Sequence, residues 1–228
     1  MKKLVIIPAR AGSKRLPGKN LKLLDGKPLI MHSIDVARAI FNDSEICVST
    51  DSNKIKSVVE KSGLHVPFVR PKELAKDTSS TESVLIHALQ WYEKNQYKPD
   101  IIILLQPTSP FRKTKHINGA IKKISKKIDM VVSVKESKSN PYFTLYEENE
   151  HGFLHKSKKS RYNRYQDCPK VWEINGSIYV INTLSLKKKG FNNFNKIIKY
   201  KIDNPIYSID IDTAYDWKIA NLLKENLE

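Results

Sequence analysis

The chain has 228 residues, 40% hydrophobic and 28% charged, an ordinary globular composition on a length that can bury a core. No apolar run approaches the ~20 residues of a membrane helix. Met1-Lys2-Lys3 leads into too short an apolar stretch for a signal peptide, and Cys47 and Cys168 can form neither a disulfide framework nor a metal-type spacing, so a cytoplasmic protein without membrane contact is expected. The net charge of +16 invites a nucleic-acid reading, but most of the cations are lysines scattered among Asn and Ile. No nucleic-acid partner is expected; the charge is assigned to a mild pull on an anionic substrate.

In chain order, Leu4-Val5-Ile6-Ile7 reads as a short buried strand. It runs into a loop carrying Gly12, Pro17 and Gly18 with four cations, Arg10, Lys14, Arg15 and Lys19. The loop matches neither G-x-x-x-x-G-K-[ST] nor G-x-G-x-x-G. A flexible basic loop after a first strand is nevertheless where an α/β sheet takes phosphates, so a polyphosphate site is expected here. Pro28 and the apolar spacing through Ala37 predict a helix to about Ile40. A second strand at 45–50 ends in Asp51, and a helix bearing Ile55, Val58 and Val59 closes at Gly63. Val66–Val69 reads as a short third strand. Residues Thr78 to Thr81 offer N-caps for a helix presenting Val84, Leu85, Ala88, Leu89 and Tyr92.

Asp100–Leu105 has no polar alternation and should be a central strand covered on both faces. It stops at Gln106-Pro107-Thr108-Ser109-Pro110. A helix around 114–127 and a strand at 130–134 complete a doubly wound, mostly parallel α/β pattern. From about 135 to 170 the order changes to short pieces, Tyr142–Tyr146 and Gly152–Leu154, read as an inserted arm of a single domain spanning 1–228. Strands at 178–181 and 197–202 and a helix from about Thr213 follow.

Ser208-Ile209-Asp210-Ile211-Asp212 reads as a strand end with two carboxylates on one side, a pair suited to Mg²⁺ shared with substrate phosphates. Asp212 as the N-cap of the following helix is the competing reading. Asn175-Gly176 alone reads as a tight turn. With Gln106 and Thr108 it offers neutral hydrogen-bonding groups for a polyhydroxylated ligand.

The loop at 7–20, Arg70-Pro71-x-Glu73-Leu74-Ala75-x-Asp77-Thr78, Leu104-Leu105-Gln106-Pro107-Thr108-Ser109-Pro110-x-Arg112, Asn175-Gly176-x-x-Tyr179 and Asp210-x-Asp212 together resemble, in kind and order, the motifs of acylneuraminate cytidylyltransferases. The resemblance spans nearly the whole chain, and its first and third motifs together are highly specific. It implies a nucleotide-diphospho-sugar-transferase-like fold and transfer of CMP from CTP to a nine-carbon α-keto acid sugar, with Mg²⁺ as cofactor. It further implies that Arg10, Gly12, Ser13, Lys14, Lys19 and Asn20 hold the triphosphate, and that Arg70, Ser79 and Thr81 meet cytosine and ribose. Gln106, Thr108, Arg164, Gln166, Asn175, Gly176 and Tyr179 would meet the sugar, Asp210 and Asp212 the metal, and Arg10, Lys19 and Asp210 would be catalytic. The arm would dimerise the chain and reach a partner's site. Where the family's arm often reads Arg-Arg-Gln, this chain has Arg164-Tyr165-Gln166, which leaves sialic acid and a relative such as legionaminic acid both open as substrates. CMP-Kdo synthetase shares an Arg-Leu-Pro-Gly-Lys loop, but the 106–110 segment argues against it. A basic nucleic-acid-binding protein is the alternative of a different class.

Overall fold

The computed structural model describes residues 1–225. The chain order is β1 (Lys3–Pro8), β2 (Leu23–Leu24), β3 (Lys27–Pro28), α1 (Leu29–Arg38), β4 (Ile46–Ser49), α2 (Asn53–Lys61), α3 (Thr81–Lys94), β5 (Ile101–Leu105), α4 (Thr114–Ile121), β6 (Met130–Glu136), β7 (Tyr146–Glu148), β8 (Leu154–Lys156), β9 (Trp172–Asn182), α5 (Thr183–Lys189), β10 (Ile197–Lys201) and α6 (Ala214–Glu225). Six strands form the central sheet in the order β10-β6-β9-β5-β1-β4, while β2-β3 and β7-β8 are separate two-stranded ribbons. Within the central sheet β9 runs antiparallel to β5 and β6, and the other pairs are parallel. This is the mostly parallel, doubly wound α/β sheet expected.

The apolar runs explain the layering. Ile101, Ile103 and Leu105 of β5 face one core with Ile30 and Ile34 of α1, Ile55 and Val59 of α2 and Ile117 of α4. Ile102 and Leu104 face the other, with Leu85, Ala88 and Leu89 of α3 and Leu186 of α5. All five β5 residues are buried. Each fully buried aliphatic side chain stabilises the fold by roughly 1.5–3 kcal/mol relative to exposure, so these two layers set the architecture. A third cluster joins Leu16 of the basic loop to Phe111, Ile211, Trp217 and Ala220. It ties that loop to α6 and to the segment bearing Asp210 and Asp212.

Several elements differ from expectation. Val66–Val69 forms no strand; only Val69 bridges, to Thr50. The helix from Thr114 ends at Ile121, although Ile124 beyond it is still buried in the core. The ribbon of the 137–171 insertion pairs Tyr146–Glu148 with Leu154–Lys156, a few residues later than the apolar pieces suggested. The strand expected at 178–181 starts at Trp172, and Asn175-Gly176 lies within it as a bulge. Val132 pairs with Tyr179 but Val134 with Ile174, so residues 175–178 bulge, and Gly176 takes the positive φ of 72° that a bulge favours.

Candidate active site

The carboxyl ends of β1, β4 and β5 open on one edge of the sheet, and antiparallel β9 brings its Asn175-Gly176 bulge to the same edge. Backbone contacts shape the basic loop after β1. Ala9 N–H donates to Ser49 O at 2.9 Å, and Ala11 N–H to the Asp51 carboxylate at 2.9 Å. Asn20 Nδ2 donates to Arg10 O at 2.9 Å, and buried Leu16 pins the far end.

Two carboxylates hold the four loop cations. Asp77 takes Arg10 at 2.5 Å and Lys14 at 2.6 Å; Asp212 takes Lys19 at 2.8 Å and Arg15 at 3.1 Å. Lys14 and Arg10 hold the Asp77 carboxyl below its ordinary value. Lys19 is largely buried and also donates to Ile211 O at 2.8 Å. The pairs made by Arg10, Lys14 and Arg15 are solvent-exposed and screened, so they hold their carboxylates weakly and a polyanion can displace them.

These cations border a cleft of about 530 Å³ that Arg10, Ser13, Lys14, Lys19, Asn20, Arg70, Ser79 and Thr81 also line. Every expected nucleotide-side residue except Gly12 lines it. Gly12 is exposed and has nothing within 4 Å of where a Cβ would stand, so neither packing nor cleft lining requires glycine there. Arg70 is buried, with Nε and Nη2 lacking any hydrogen-bond partner. Asp51 stands 3.7 Å away, too long for a hydrogen bond, and burial pulls the Arg70 pKa down against that charge. Arg70 thus lines the cleft with hydrogen-bonding capacity that its own fold leaves unused.

A second cleft of about 900 Å³ is lined by Gln106, Lys135, Lys138, Glu173, Asn175, Gly176, Tyr179, Lys201 and Asp210. Gln106 lines both clefts, so they meet at its side chain. Thr108, expected on the sugar side, lines the smaller cleft. Asn175 is 5% exposed, and its amide is consumed internally: Oδ1 accepts from Ser133 Oγ at 2.6 Å and Nδ2 donates to Ser208 Oγ at 2.9 Å. Its side chain shapes the bulge. Arg164 and Gln166 line neither cleft; both are exposed on the arm, and Arg164 pairs with Asp167 at 2.9 Å. Tyr165 donates to the Ser137 and Lys138 carbonyls, tying the arm to its own neck.

The Asp210–Asp212 segment is extended but is no strand, following a short helical turn at Pro205–Ser208. Ile211 N–H donates to Thr108 O at 2.8 Å. The two carboxylates line different clefts, Asp210 the larger and Asp212 the smaller. Burial raises the Asp210 pKa, opposed by a hydrogen bond from Thr108, with Asp212 raising it further. Asp212 does not cap α6. The Thr213 hydroxyl accepts from Asp216 N–H, and Asp216 accepts from Thr213 N–H at 2.7 Å. Asp212 instead holds Lys19 and Arg15.

Asp77, which lines the smaller cleft, and Asp51, which holds Ala11 N–H behind it, were not picked out as site residues. Asp51 at a strand's carboxyl end was a readable signal; the pairing of Asp77 with Arg10, 67 positions apart, was not.

Comparison with known proteins agrees. The family described as "Cytidylyltransferase" matches residues 4–226. A CMP-N,N'-diacetyllegionaminic acid synthase of Legionella pneumophila is 38% identical over 99% of this chain and 97% of its own length. An N-acylneuraminate cytidylyltransferase of Streptococcus agalactiae is 36% identical over 95% of this chain, which spans only 52% of that longer protein. Among solved structures, a CMP:2-keto-3-deoxy-manno-octonic acid synthetase complexed with CTP superposes over 100% of both chains with a TM-score of 0.72 at 19% identity, a likeness of fold alone. With sequence agreement across residues 4–226 and fold agreement along its whole length, the chain belongs to the cytidylyltransferase family.

Proposed function

We propose that the chain transfers CMP from CTP to a nine-carbon α-keto acid sugar, an N-acylneuraminate or a legionaminate, releasing pyrophosphate. The observation that carries the reading is the meeting of two unlike clefts at Gln106. One is walled by four cations on displaceable carboxylates, and the other by lysines and carboxylates of both signs interspersed with the neutral polar groups Gln106, Asn175 and Tyr179. A triphosphate suits the first and a polyhydroxylated acid the second. The relatives at 38% and 36% identity are named for those two sugars. Likeness to the octonic acid synthetase supports only the fold.

In the proposed reaction the anomeric hydroxyl attacks the α-phosphorus in line. A bond forms from that oxygen to phosphorus, and the bond to the bridging oxygen of the β-phosphate breaks. Such transfer needs positioning and charge neutralisation more than covalent help from the protein. Arg10, Lys14, Arg15 and Lys19 neutralise the triphosphate as it displaces Asp77 and Asp212. Arg70 meets the nucleoside from the cleft wall, beside Ser79 and Thr81. Gln106 and the Gly176 bulge orient the sugar.

The donor set fits a divalent metal, and Mg²⁺ in particular. Asp210 in the larger cleft and Asp212 in the smaller supply hard oxygen donors, Asp212 once a polyanion has drawn Lys19 and Arg15 away from it. Among the described residues no group of three or more His, Cys, Asp or Glu could complete a cage. Two carboxylates with the rest supplied by phosphates and water is the habit of Mg²⁺. When bound, it would neutralise charge on the phosphates as a Lewis acid.

The arm completes the proposal. Phe153 and Leu154 are 69% and 67% exposed at its tip, more than a solitary ribbon needs, and Arg164 and Gln166 line neither of the chain's own clefts. A homodimer in which each arm covers the other protomer's sugar cleft accounts for both. Among the described residues no helix is long and apolar enough to cross a membrane; a cytoplasmic location belongs with the use of CTP.

Pyrophosphate release tests the function when the protein is incubated with CTP, Mg²⁺ and, separately, N-acetylneuraminate, N,N'-diacetyllegionaminate and 2-keto-3-deoxy-octonate. Turnover with a nine-carbon acid is expected. Turnover only with the eight-carbon acid, or with none of the three, refutes the assignment.

A further inference from the structure

Arg112 lines neither cleft, yet it sits beneath the point where they meet. It is 3% exposed, and its fork reaches three separate elements. Nη1 donates to Ser33 Oγ of α1 at 2.7 Å, Nε to Ser177 Oγ of β9 at 3.3 Å, and Nη2 to the carbonyl of Gln106. All three partners are neutral. The carboxylate it senses is Asp210, which raises its pKa against the larger effect of burial; the net value falls to about 9, so it stays protonated at neutral pH.

A cation taken out of water without a contacting carboxylate costs several kcal/mol, and an apolar side chain would fill the same space more cheaply. A purely structural account therefore has to explain why a charge is here. What the fork grips is informative. Gln106 is the residue shared by the clefts, and a Cβ at Gly176 would stand 3.0 Å from its Oε1, so its amide lies directly against the β9 bulge. Ser177 is the next residue of that bulge. The 106–108 loop in turn holds the aspartate segment, through Thr108 O to Ile211 N–H and the Thr108 side chain to Asp210. Loop, bulge and carboxylates thus share one anchor. A planar guanidinium serves three diverging acceptors, and an ammonium on a flexible stem does not.

We propose that Arg112 is a positioning residue: it locks the Gln106–Thr108 loop against the β9 bulge and so holds the sugar cleft in register with the nucleotide cleft. This rests on the cytidylyl-transfer reading above. The effect should fall on the sugar, because the CTP cleft is built mainly from the basic loop and the 70–81 segment.

The test is a set of steady-state constants for CTP and for the accepted nonulosonate in the wild type, Arg112→Lys, Arg112→Gln and Ser177→Ala, each with a melting curve. Arg112→Gln is expected to raise the sugar KM at least tenfold while the CTP KM stays within threefold. Arg112→Lys should recover only part of the loss, since it restores charge without the fork. Ser177→Ala removes one acceptor and should shift the sugar KM the same way by a smaller factor; it decides the matter if Arg112→Gln does not fold. Equal changes in both KM values, a lowered melting temperature with unmoved constants, or full rescue by Arg112→Lys would overturn the proposal. A wild type that turns over no nonulosonate sinks the transfer reading and this inference with it; an active wild type with unmoved variants sinks the inference alone.

Discussion

Replacing Gly176 by Ala adds one methyl group where the β9 bulge meets Gln106, the residue both clefts share. Gly176 has φ +72°, in the left-handed region, and the new Cβ would lie 3.0 Å from Gln106 Oε1. The backbone cost of an L-residue there is about 1–2 kcal/mol. For a 228-residue chain each 1 kcal/mol lowers the melting temperature by about 2–4 °C, so a fall of roughly 2–8 °C follows. The contact also pushes the Gln106 amide back by a few tenths of an ångström. Since a misplacement of about 1 Å can cost 10²-fold in rate, a loss near tenfold in kcat/KM for the sugar is expected. Differential scanning fluorimetry and pyrophosphate release measure the two effects. Gly12→Ala is the internal control for stability, because it has neither a positive φ nor any atom within 4 Å of its Cβ and should stay within about 0.5 kcal/mol of wild type. Equal melting temperatures for the two variants, with an unchanged sugar KM for Gly176→Ala, would refute the reasoning.

Lys19→Met removes the buried ammonium from Asp212 and Ile211 O and should lower kcat/KM for CTP by about 10²–10³-fold, read by nucleotide titration and turnover. Gly119→Ala places a Cβ 2.5 Å from the Tyr200 ring, an overpacking worth about 1–3 kcal/mol; adding Tyr200→Val should restore part of the lost melting temperature. Asp129 is buried, and bonds to Lys189 and Ser185 and to the Asn195 and Lys196 N–H groups hold its carboxyl far below its ordinary value of 3.8. A folded-state pKa below the unfolded one adds stability that is fully present well above 3.8 and drains away as pH falls below it. Asp129→Asn should therefore destabilise the protein at pH 7, and the gap to wild type in denaturant midpoints should narrow as pH drops below about 3.8. Phe153→Asp with Leu154→Asp should convert the proposed dimer to a monomer in sedimentation velocity; an unchanged sedimentation coefficient at dimer mass would clear the arm of that role.

Much of the architecture was legible because burial leaves a plain mark. Ile101–Leu105 has no polar residue and is buried on both faces, and α3 presents the five residues its spacing predicted. The cations that line the smaller cleft were legible for a related reason: cations beside a strand's end have few structural uses. Direction and partnership were not. Ile178–Ile181 looks like any buried strand, and nothing local to it says that it runs antiparallel or that its bulge uses up the Asn175 amide. Asp210 and Asp212 read as neighbours on one face, while the turn at Pro205–Ser208 and the clamp from Thr108 send them to two clefts. Contacts such as Arg10 with Asp77 or Lys19 with Asp212 join distant positions, and only the fold brings them together.

The central claim is that the loop from Arg10 to Lys19 holds the triphosphate. A crystal structure with CTP tests it most directly. The account predicts phosphate oxygens within hydrogen-bond distance of Arg10, Lys14 and Lys19, with Asp77 released from its two cations. A nucleotide bound elsewhere, with all four loop cations still on Asp77 and Asp212, would contradict it.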